Sequence, residues 1–313
     1  MSRFTLSRRA FLAASASAAG TAIGAGYYTT LVEPFWLDVH TETHNLTSWP
    51  TGLDNLRIAH LTDLHLDART PRDYLRELSR RVREEIKPDL VAYTGDLTTH
   101  DADHLAEGAD WLASFNLPTF VCLGNHDYDP ATSVRPFRPM SLAEDLERLL
   151  RNTPVRVLRN SAVPLNLTPT PSAATTAPST SPSPAPPTEL WIAGVEDFYT
   201  GLCDGNAAVA SVPPGSPRLM LCHNPDAWRL VDDAADGGLV LSGHTHGGQI
   251  RLPFFGPILV PVQERDKVAG LVQLTRSKMY VSRGVGYLLR ARFNCRPELA
   301  VHRILVRPTI SPT

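Results

Sequence analysis

Ser242-Gly243-His244-Thr245-His246-Gly247-Gly248 is the stretch on which the reading of this 313-residue chain turns. It follows the apolar run Gly238-Leu239-Val240-Leu241, which reads as a buried strand, and its glycines let the backbone leave a sheet sharply. In extended backbone, residues two apart point to one side, so His244 and His246 are expected to face one small volume suited to metal ions. An imidazole pair alone is more often a surface feature than a ligand set. What gives this one weight is that other apolar runs end in groups of the same kind.

Working outward, Leu56-Arg57-Ile58-Ala59-His60-Leu61-Thr62 delivers Asp63-Leu64-His65, and the run from Asp89 to Thr94 delivers Gly95-Asp96. Thr119 to Leu123 delivers Gly124-Asn125-His126-Asp127, and Arg218 to Cys222 delivers His223-Asn224-Pro225. Helical periodicity separates the first three runs. Leu75, Leu78, Val82 and Ile86 share one face between Tyr74 and Ile86, Pro88 stops that helix, and a second runs from about Ala102 to Phe115. Repeated βα units predict an α/β sheet with its polar residues gathered at the carboxyl ends of strands. Ser141 to Leu150 reads as a helix with Ser141 and Glu144 as a capping box. Val155 to Asn160, Leu190 to Val195, Lys278 to Ser282 and Glu298 to Ile304 read as strands. His60, on the opposite strand face from Asp63, reads as structural.

Composition bounds the rest. With 42% hydrophobic and 20% charged residues the chain can build an ordinary globular core, and one domain of about 270 residues behind a leader is the natural division. A formal net charge of -2 gives no reason to expect a nucleic-acid partner. Arg76, Arg80, Arg81 and Arg83 alternate with Glu77, Glu84 and Glu85, as on a solvated helix face. Cys122, Cys203, Cys222 and Cys295 are scattered and predict no disulfide framework. At the N-terminus, Ser7-Arg8-Arg9-Ala10-Phe11-Leu12 ahead of an Ala/Ser/Gly-rich stretch matches a twin-arginine export signal, which implies the twin-arginine machinery as partner. Residues 1–35 are therefore read as a signal or membrane anchor. Ala16-Ser17-Ala18 and Ala22 to Ala25 offer cleavage sites, while Tyr27-Tyr28 and Phe35-Trp36 suit a membrane interface in an uncleaved anchor. Residues 36–313 form the main domain. About 168–188, Pro/Ser/Thr-rich, is read as a disordered loop inserted within it, an interdomain linker being the alternative.

The strand-end groups are Asp63, His65, Asp96, Asn125, His126, His223, His244 and His246. Oxygen and imidazole donors without thiolate point to hard or borderline divalent ions, and eight groups suit two ions with a bridging carboxylate and an amide oxygen.

Asp-x-His, Gly-Asp, Gly-Asn-His-Asp, His and Gly-His-Thr-His, in this order and each after an apolar run, resemble the motifs of the calcineurin-like metallophosphoesterases. The resemblance spans about Arg57 to Gln249. The leader, Glu33-Pro34-Phe35-Trp36-Leu37 and the segment Arg292 to Glu298 further resemble a bacterial membrane-associated subgroup of exported phosphodiesterases and UDP-2,3-diacylglucosamine hydrolases. The resemblance implies a four-layer α/β sandwich of two mixed β-sheets flanked by helices. It implies two divalent ions, Mn, Zn or Fe, with Asp63, His65 and His246 holding the first, Asn125, His223 and His244 the second, and Asp96 bridging. It implies hydrolysis of a phosphodiester or pyrophosphate by direct attack of metal-bound hydroxide. His126 is expected to protonate the leaving oxygen, and Asp127 either orients His126 or caps the turn.

Arg251, Arg290 and Arg292, with Arg283, are candidate phosphate contacts. Leu252-Pro253-Phe254-Phe255-Gly256-Pro257 and Leu288-Leu289 could form an apolar lip for an acyl chain or membrane, although core packing is the simpler account. The expected substrate is a phosphate ester, lipid-linked in one alternative, met in the periplasm or at the outer face of the cytoplasmic membrane. An envelope protein that binds wall or lipid phosphates through its metals with little turnover is the alternative of another class.

Overall fold

Two six-stranded sheets face each other and carry helices on their outer sides. The computed structural model describes residues 7–100, 102–128, 141–167 and 188–306. The chain builds β1 (Asp38–Asn45), β2 (Arg57–Leu61), β3 (Leu90–Thr94), β4 (Thr119–Cys122) and β5 (Val155–Val157) of the first sheet. It then lays down β6 (Ser161–Leu167), β7 (Thr188–Gly194), β8 (Arg218–Leu221) and β9 (Leu239–Ser242) of the second. A small hairpin, β10 (Arg251–Leu252) with β11 (Gly256–Pro257), precedes β12 (Gly270–Gln273) and β13 (Lys278–Val281), and β14 (Glu298–Leu305) returns to the first sheet. The spatial orders are β1-β14-β2-β3-β4-β5 and β12-β13-β9-β8-β7-β6. Strands β2 to β5 run parallel, as do β7, β8, β9 and β13; antiparallel pairs at β14–β2, β6–β7 and β12–β13 make both sheets mixed.

Alternation along the strands creates the layers. On β2, Ala59 and Leu61 face one helical flank while Ile58 faces the second sheet; on β8, Leu219 and Leu221 face the first sheet while Met220 faces the other flank. Helix α1 (Arg8–Tyr27) lies outside these layers. The first flank is covered by α2 (Arg72–Arg80), α3 (Leu105–Ala113) and α4 (Ser141–Leu150), the second by α5 (Gly205–Ala208) and α6 (Trp228–Ala235). The four apolar residues expected on one helix face, Leu75, Leu78, Val82 and Ile86, are all buried. That helix continues beyond α2 as wider π turns to Ile86 and stops at Lys87 (φ 49°), the residue a following proline keeps from the helical region. On its solvent face Arg80 and Arg81 pair with Glu77 and Glu85, and Arg76 pairs with Asp73.

Strand β1 is polar and largely half-exposed because it is an edge strand, which is why its sequence carried no apolar signal. The packed body also begins earlier than position 36. Glu33 and Pro34 are buried, the Glu33 carboxylate accepts from the Cys295 N–H at 2.5 Å, and the Phe35 ring meets Tyr74 and Tyr287 edge-on instead of standing free at an interface. The Pro/Ser/Thr-rich segment expected at 168–188 lies outside the described residues apart from Thr188. Its flanks, Leu167 and Thr188, are partners in the antiparallel β6–β7 pair, so the segment closes a hairpin within one sheet. The four cysteines are free thiols.

Between the sheets runs a line of buried histidines. His44 Nε2 lies 2.9 Å from His302 Nδ1, His302 Nε2 lies 3.3 Å from His60 Nδ1, and His60 Nε2 lies 2.9 Å from the Thr94 hydroxyl. Burial lowers the pKa of His60 to about 3; burial, with Lys278 nearby, lowers that of His44 to about 4.

Candidate dinuclear metal centre

Five of the strands that run toward one rim, β2, β3, β4, β8 and β9, end in functional groups there. The loop after β2 brings Asp63 and His65, that after β3 brings Asp96, that after β4 Asn125 and His126, that after β8 His223, and that after β9 His244 and His246. These side chains form two adjoining groups, Asp63–His65–His246 and Asp96–His223–His244, with the donor atoms of each lying within 4.8 Å of one another. Asp96 Oδ2 stands between them, 3.4 Å from His65 Nε2 and 3.3 Å from His223 Nε2.

The two histidines of the opening motif divide between the groups. His246 Nε2 lies 3.0 Å from His65 Nε2, and His244 Nδ1 lies 3.3 Å from His223 Nε2. The extended backbone expected for this stretch is absent. Strand β9 ends at Ser242, and His244 (φ 70°) and His246 (φ 50°) occupy left-handed conformations. Asp63 (56°), His65 (48°) and Asp96 (57°) do the same. Such conformations cost non-glycine residues about 1–2 kcal/mol each, and they persist because surrounding packing over-determines them. Left-handed turns, and not strand pleats, aim this set inward.

The donor chemistry fits divalent cations. The His223 Nδ1–H donates to the Thr94 carbonyl (2.6 Å) and the His244 Nε2–H to the Pro261 carbonyl (3.2 Å). Carbonyls only accept, so when both rings are neutral the ring nitrogens that face each other across 3.3 Å present lone pairs, beside the Asp96 carboxylate. His65 is likewise held from behind, its Nδ1 2.8 Å from the Thr99 hydroxyl. The Asn125 carbonyl oxygen is buried without a hydrogen-bond partner, as expected of a donor placed for a cation. Burial raises the carboxyls of Asp63 and Asp96, and it keeps His65, His244 and His246 neutral. Burial also opposes charge on His223, but the neighbouring Asp96, Asp63 and Asp197 carboxylates carry its pKa well above the usual value. The centre therefore attracts positive charge.

Around it, the Asp63 carboxylate accepts from the Thr62 hydroxyl (2.8 Å) and the His244 N–H. Asp127 resolves toward the cap: fully buried, it accepts from the N–H groups of Gly124 (2.9 Å), Asp96 (2.8 Å) and Leu97 (2.8 Å). It thus locks the loops after β3 and β4 together instead of reaching the His126 ring. The His126 N–H donates to Asp96 Oδ1 at 2.9 Å, and its ring packs edge-on to His65 with centroids 5.0 Å apart. Burial, with His100 and His223 adding, lowers the His126 pKa to about 4.

The arginine expectations divide. Arg292 is 0% exposed, and its guanidinium donates to the carbonyls of Gly286, Arg283 and Cys295. It braces backbone and is not placed to meet a phosphate. Arg251 donates to the Gly247 carbonyl at 3.1 Å, Arg290 lies over the Phe35 ring, and Arg283 pairs with Asp38 and Glu298. The apolar segments expected in the core are not there: Phe254 and Phe255 stand in solvent on the β10–β11 turn, and Leu288 and Leu289 are exposed. Sequence reasoning missed His100, whose Nδ1–H donates to the Tyr128 carbonyl (2.7 Å) and whose ring lies 4.4 Å from that of His126. It also missed Tyr199, packed edge-on to His244. A histidine four residues beyond Asp96 was the available signal for the first; nothing marked the second.

Two facing sheets whose strand ends present adjoining imidazole–carboxylate groups define a two-metal hydrolase. The description of the calcineurin-like phosphoesterase family matches residues 56–248, and the chain belongs to that family. It is a metal-dependent phosphoester hydrolase. It is 31% identical over 305 residues to phosphodiesterase YaeI of Escherichia coli (strain K12), covering 95% of this chain and 98% of that one. It is 30% identical to UDP-2,3-diacylglucosamine pyrophosphatase LpxG of Chlamydia muridarum (strain MoPn / Nigg), covering 82% and 85%. To metallophosphoesterase YkuE of Bacillus subtilis (strain 168) it is 30% identical, covering 95% and 96%.

Proposed function

We propose that the chain hydrolyses a phosphodiester or pyrophosphate bond at the cell envelope. In this reading Asp63, His65 and His246 hold one divalent ion, Asn125, His223 and His244 the other, and Asp96 bridges. The all-nitrogen-and-oxygen set favours Mn, Zn or Fe. Ions so held lower the pKa of water and draw negative charge from a phosphoryl group. The chain's own residues do the rest. Thr94, Thr99 and Pro261 fix the imidazoles, and Asp127 fixes the backbone of Asp96. His126, neutral near pH 7, offers a ring N–H to the departing oxygen, and a bound phosphate anion raises its pKa toward proton donation.

The position of Asp96 Oδ2 between the two groups carries this reading. Asp96→Asn is expected to lower hydrolysis of bis-p-nitrophenyl phosphate by about a thousandfold or more, with metal content falling in parallel. A variant that keeps full activity, or a metal-loaded protein that binds phosphate yet hydrolyses no ester, sinks the proposal; the second result would establish the binding-protein alternative. A lipid-linked pyrophosphate is the second reading, favoured by the exposed apolar residues beside the centre and by the substrate for which the chlamydial relative is named.

For location we propose twin-arginine export to the periplasm or the outer face of the cytoplasmic membrane. Arg8-Arg9 at the head of the exposed, Ala-rich α1 supports it. Among the described residues no helix is long and apolar enough to cross a membrane. Lysines in place of both arginines are expected to leave the protein in the cytoplasmic fraction; unchanged fractionation would rule this route out.

A further inference from the structure

A groove of about 370 Å³ opens directly from the centre, with His244 and His246 in its wall. That volume is at the lower end of the roughly 300–1,000 Å³ typical of small-ligand sites. Ile250, Ile258, Leu259, Val260, Leu288 and Leu289 line it, and no Asp, Glu, Lys or Arg is among its lining residues. Most of its polar side-chain atoms are already engaged, the exception being His246 Nδ1, which is buried without a partner. The Gln249 amide donates to the carbonyls of Leu289 and Ala291 and accepts from the Leu288 N–H, and the Thr245 hydroxyl donates to the Val268 carbonyl. The His244 Nε2–H is taken by Pro261. A sugar, nucleoside or peptide backbone entering here would lose its hydrogen bonds to water and find few in return.

We infer that this groove is the binding site for the hydrocarbon chain of an amphiphilic phosphate ester whose phosphate sits at the metal centre. The inference rests on the phosphoesterase reading and deepens it. Continuity commits the groove to a substrate and not to a separate partner, because the imidazoles that end the groove belong to the two ligand groups. Leu259 is 77% and Leu289 67% exposed at its mouth, so a chain can enter from outside. The loop that forms the Leu288–Leu289 wall also grips the N-terminal segment, through the Arg292 N–H to the Thr29 carbonyl (2.8 Å) and the Cys295 N–H to Glu33. The N-terminal segment is therefore tied to the loop that carries Leu288 and Leu289, and Phe254 and Phe255 are exposed on the β10–β11 hairpin.

The test is a series of p-nitrophenyl alkyl phosphates with methyl, butyl and octyl chains, each below its micelle concentration, with the full-length metal-loaded protein. Burying a methylene is worth up to roughly fourfold, and in a groove open along one side kcat/KM is expected to rise by about thirtyfold or more from methyl to octyl. Leu259→Asp and Leu289→Asp are expected to flatten that slope. The slope is a ratio within each variant, so a loss of fold or metal lowers both ends alike and leaves it intact. A slope of one in the active protein overturns the inference, as does a steep slope that survives both substitutions. Should a substitution instead change the oligomeric state while the slope persists, the groove belongs to a second copy. If no ester is hydrolysed at all, the phosphoesterase reading has failed, and titration calorimetry with methyl and octyl phosphate still decides the groove: tighter octyl binding that Leu289→Asp removes supports it, and equal affinities overturn it.

Discussion

Single residues carry different burdens at this centre. His126 is the one imidazole of the strand-end set placed in neither ligand group. His126→Gln is expected to keep both metals but lower kcat by roughly a hundredfold, more for an alkyl leaving group than for p-nitrophenolate, which needs no proton. Metal analysis beside the two rates checks this, and an equal drop for both leaving groups would deny the residue a proton-donating role. Asp127 has a different burden. With its carboxylate binding three backbone N–H groups, Asp127→Asn is expected to destabilise by about 2–3 kcal/mol and to weaken metal binding through Asp96, as a urea melt and metal titration would show. The ligand types and their order were legible in the sequence because strand ends at a sheet rim must converge. Arg292 was misread because composition does not say whether a guanidinium meets solvent or carbonyls, and only its burial among backbone carbonyls decides that.

Elements impose the geometry that residues exploit. Gly124 and Gly243 follow β4 and β9, where each backbone passes against a ligand carboxylate. A methyl at Gly124 would fall on Asp96 Oδ1, and one at Gly243 on the Thr62 hydroxyl and Asp63 Oδ2. Gly124→Ala and Gly243→Ala are thus expected to lose divalent ions while retaining far-UV dichroism, with the first change striking Asp96 and the second Asp63. Variants with full metal content would show that these carboxylates have room to shift. Buried parallel strands were readable as apolar runs, and α2 through its 3.6-residue spacing. Edge strands β1 and β6 were not, since half-exposed strands need no apolar face and owe their place to a neighbour's ladder. The left-handed turns that aim Asp63, His65, Asp96, His244 and His246 escaped notice for another reason: a two-residue spacing is compatible with both a pleat and a turn.

At the scale of the molecule, the centre is assembled from both sheets while the interface behind it holds histidines neutral. His44 and His60 are harder to protonate folded than unfolded, with pKa values of about 4 and about 3 against an ordinary 6.5. The unfolded chain therefore binds more protons in acid. Their contribution is complete above about pH 6.5 and is lost progressively as pH falls toward 4. Between pH 7 and pH 5 that loss amounts to up to about 2 kcal/mol per histidine. His44→Gln is expected to shrink the difference in unfolding free energy between those pH values by up to that amount, measured by urea denaturation; an unchanged difference would mean that His44 is not held neutral.

Strand β6 lies at the outer edge of the second sheet and runs antiparallel to β7, so Leu167 and its partner Thr188 fall at the amino ends of β7, β8 and β9. The ligands lie at the carboxyl ends of the same strands. New chain termini, a fluorophore or an affinity handle spliced between Leu167 and Thr188 would thus occupy the pole away from the chemistry, and protein immobilised by that handle would present its reactive pole outward to whatever surface is brought to it.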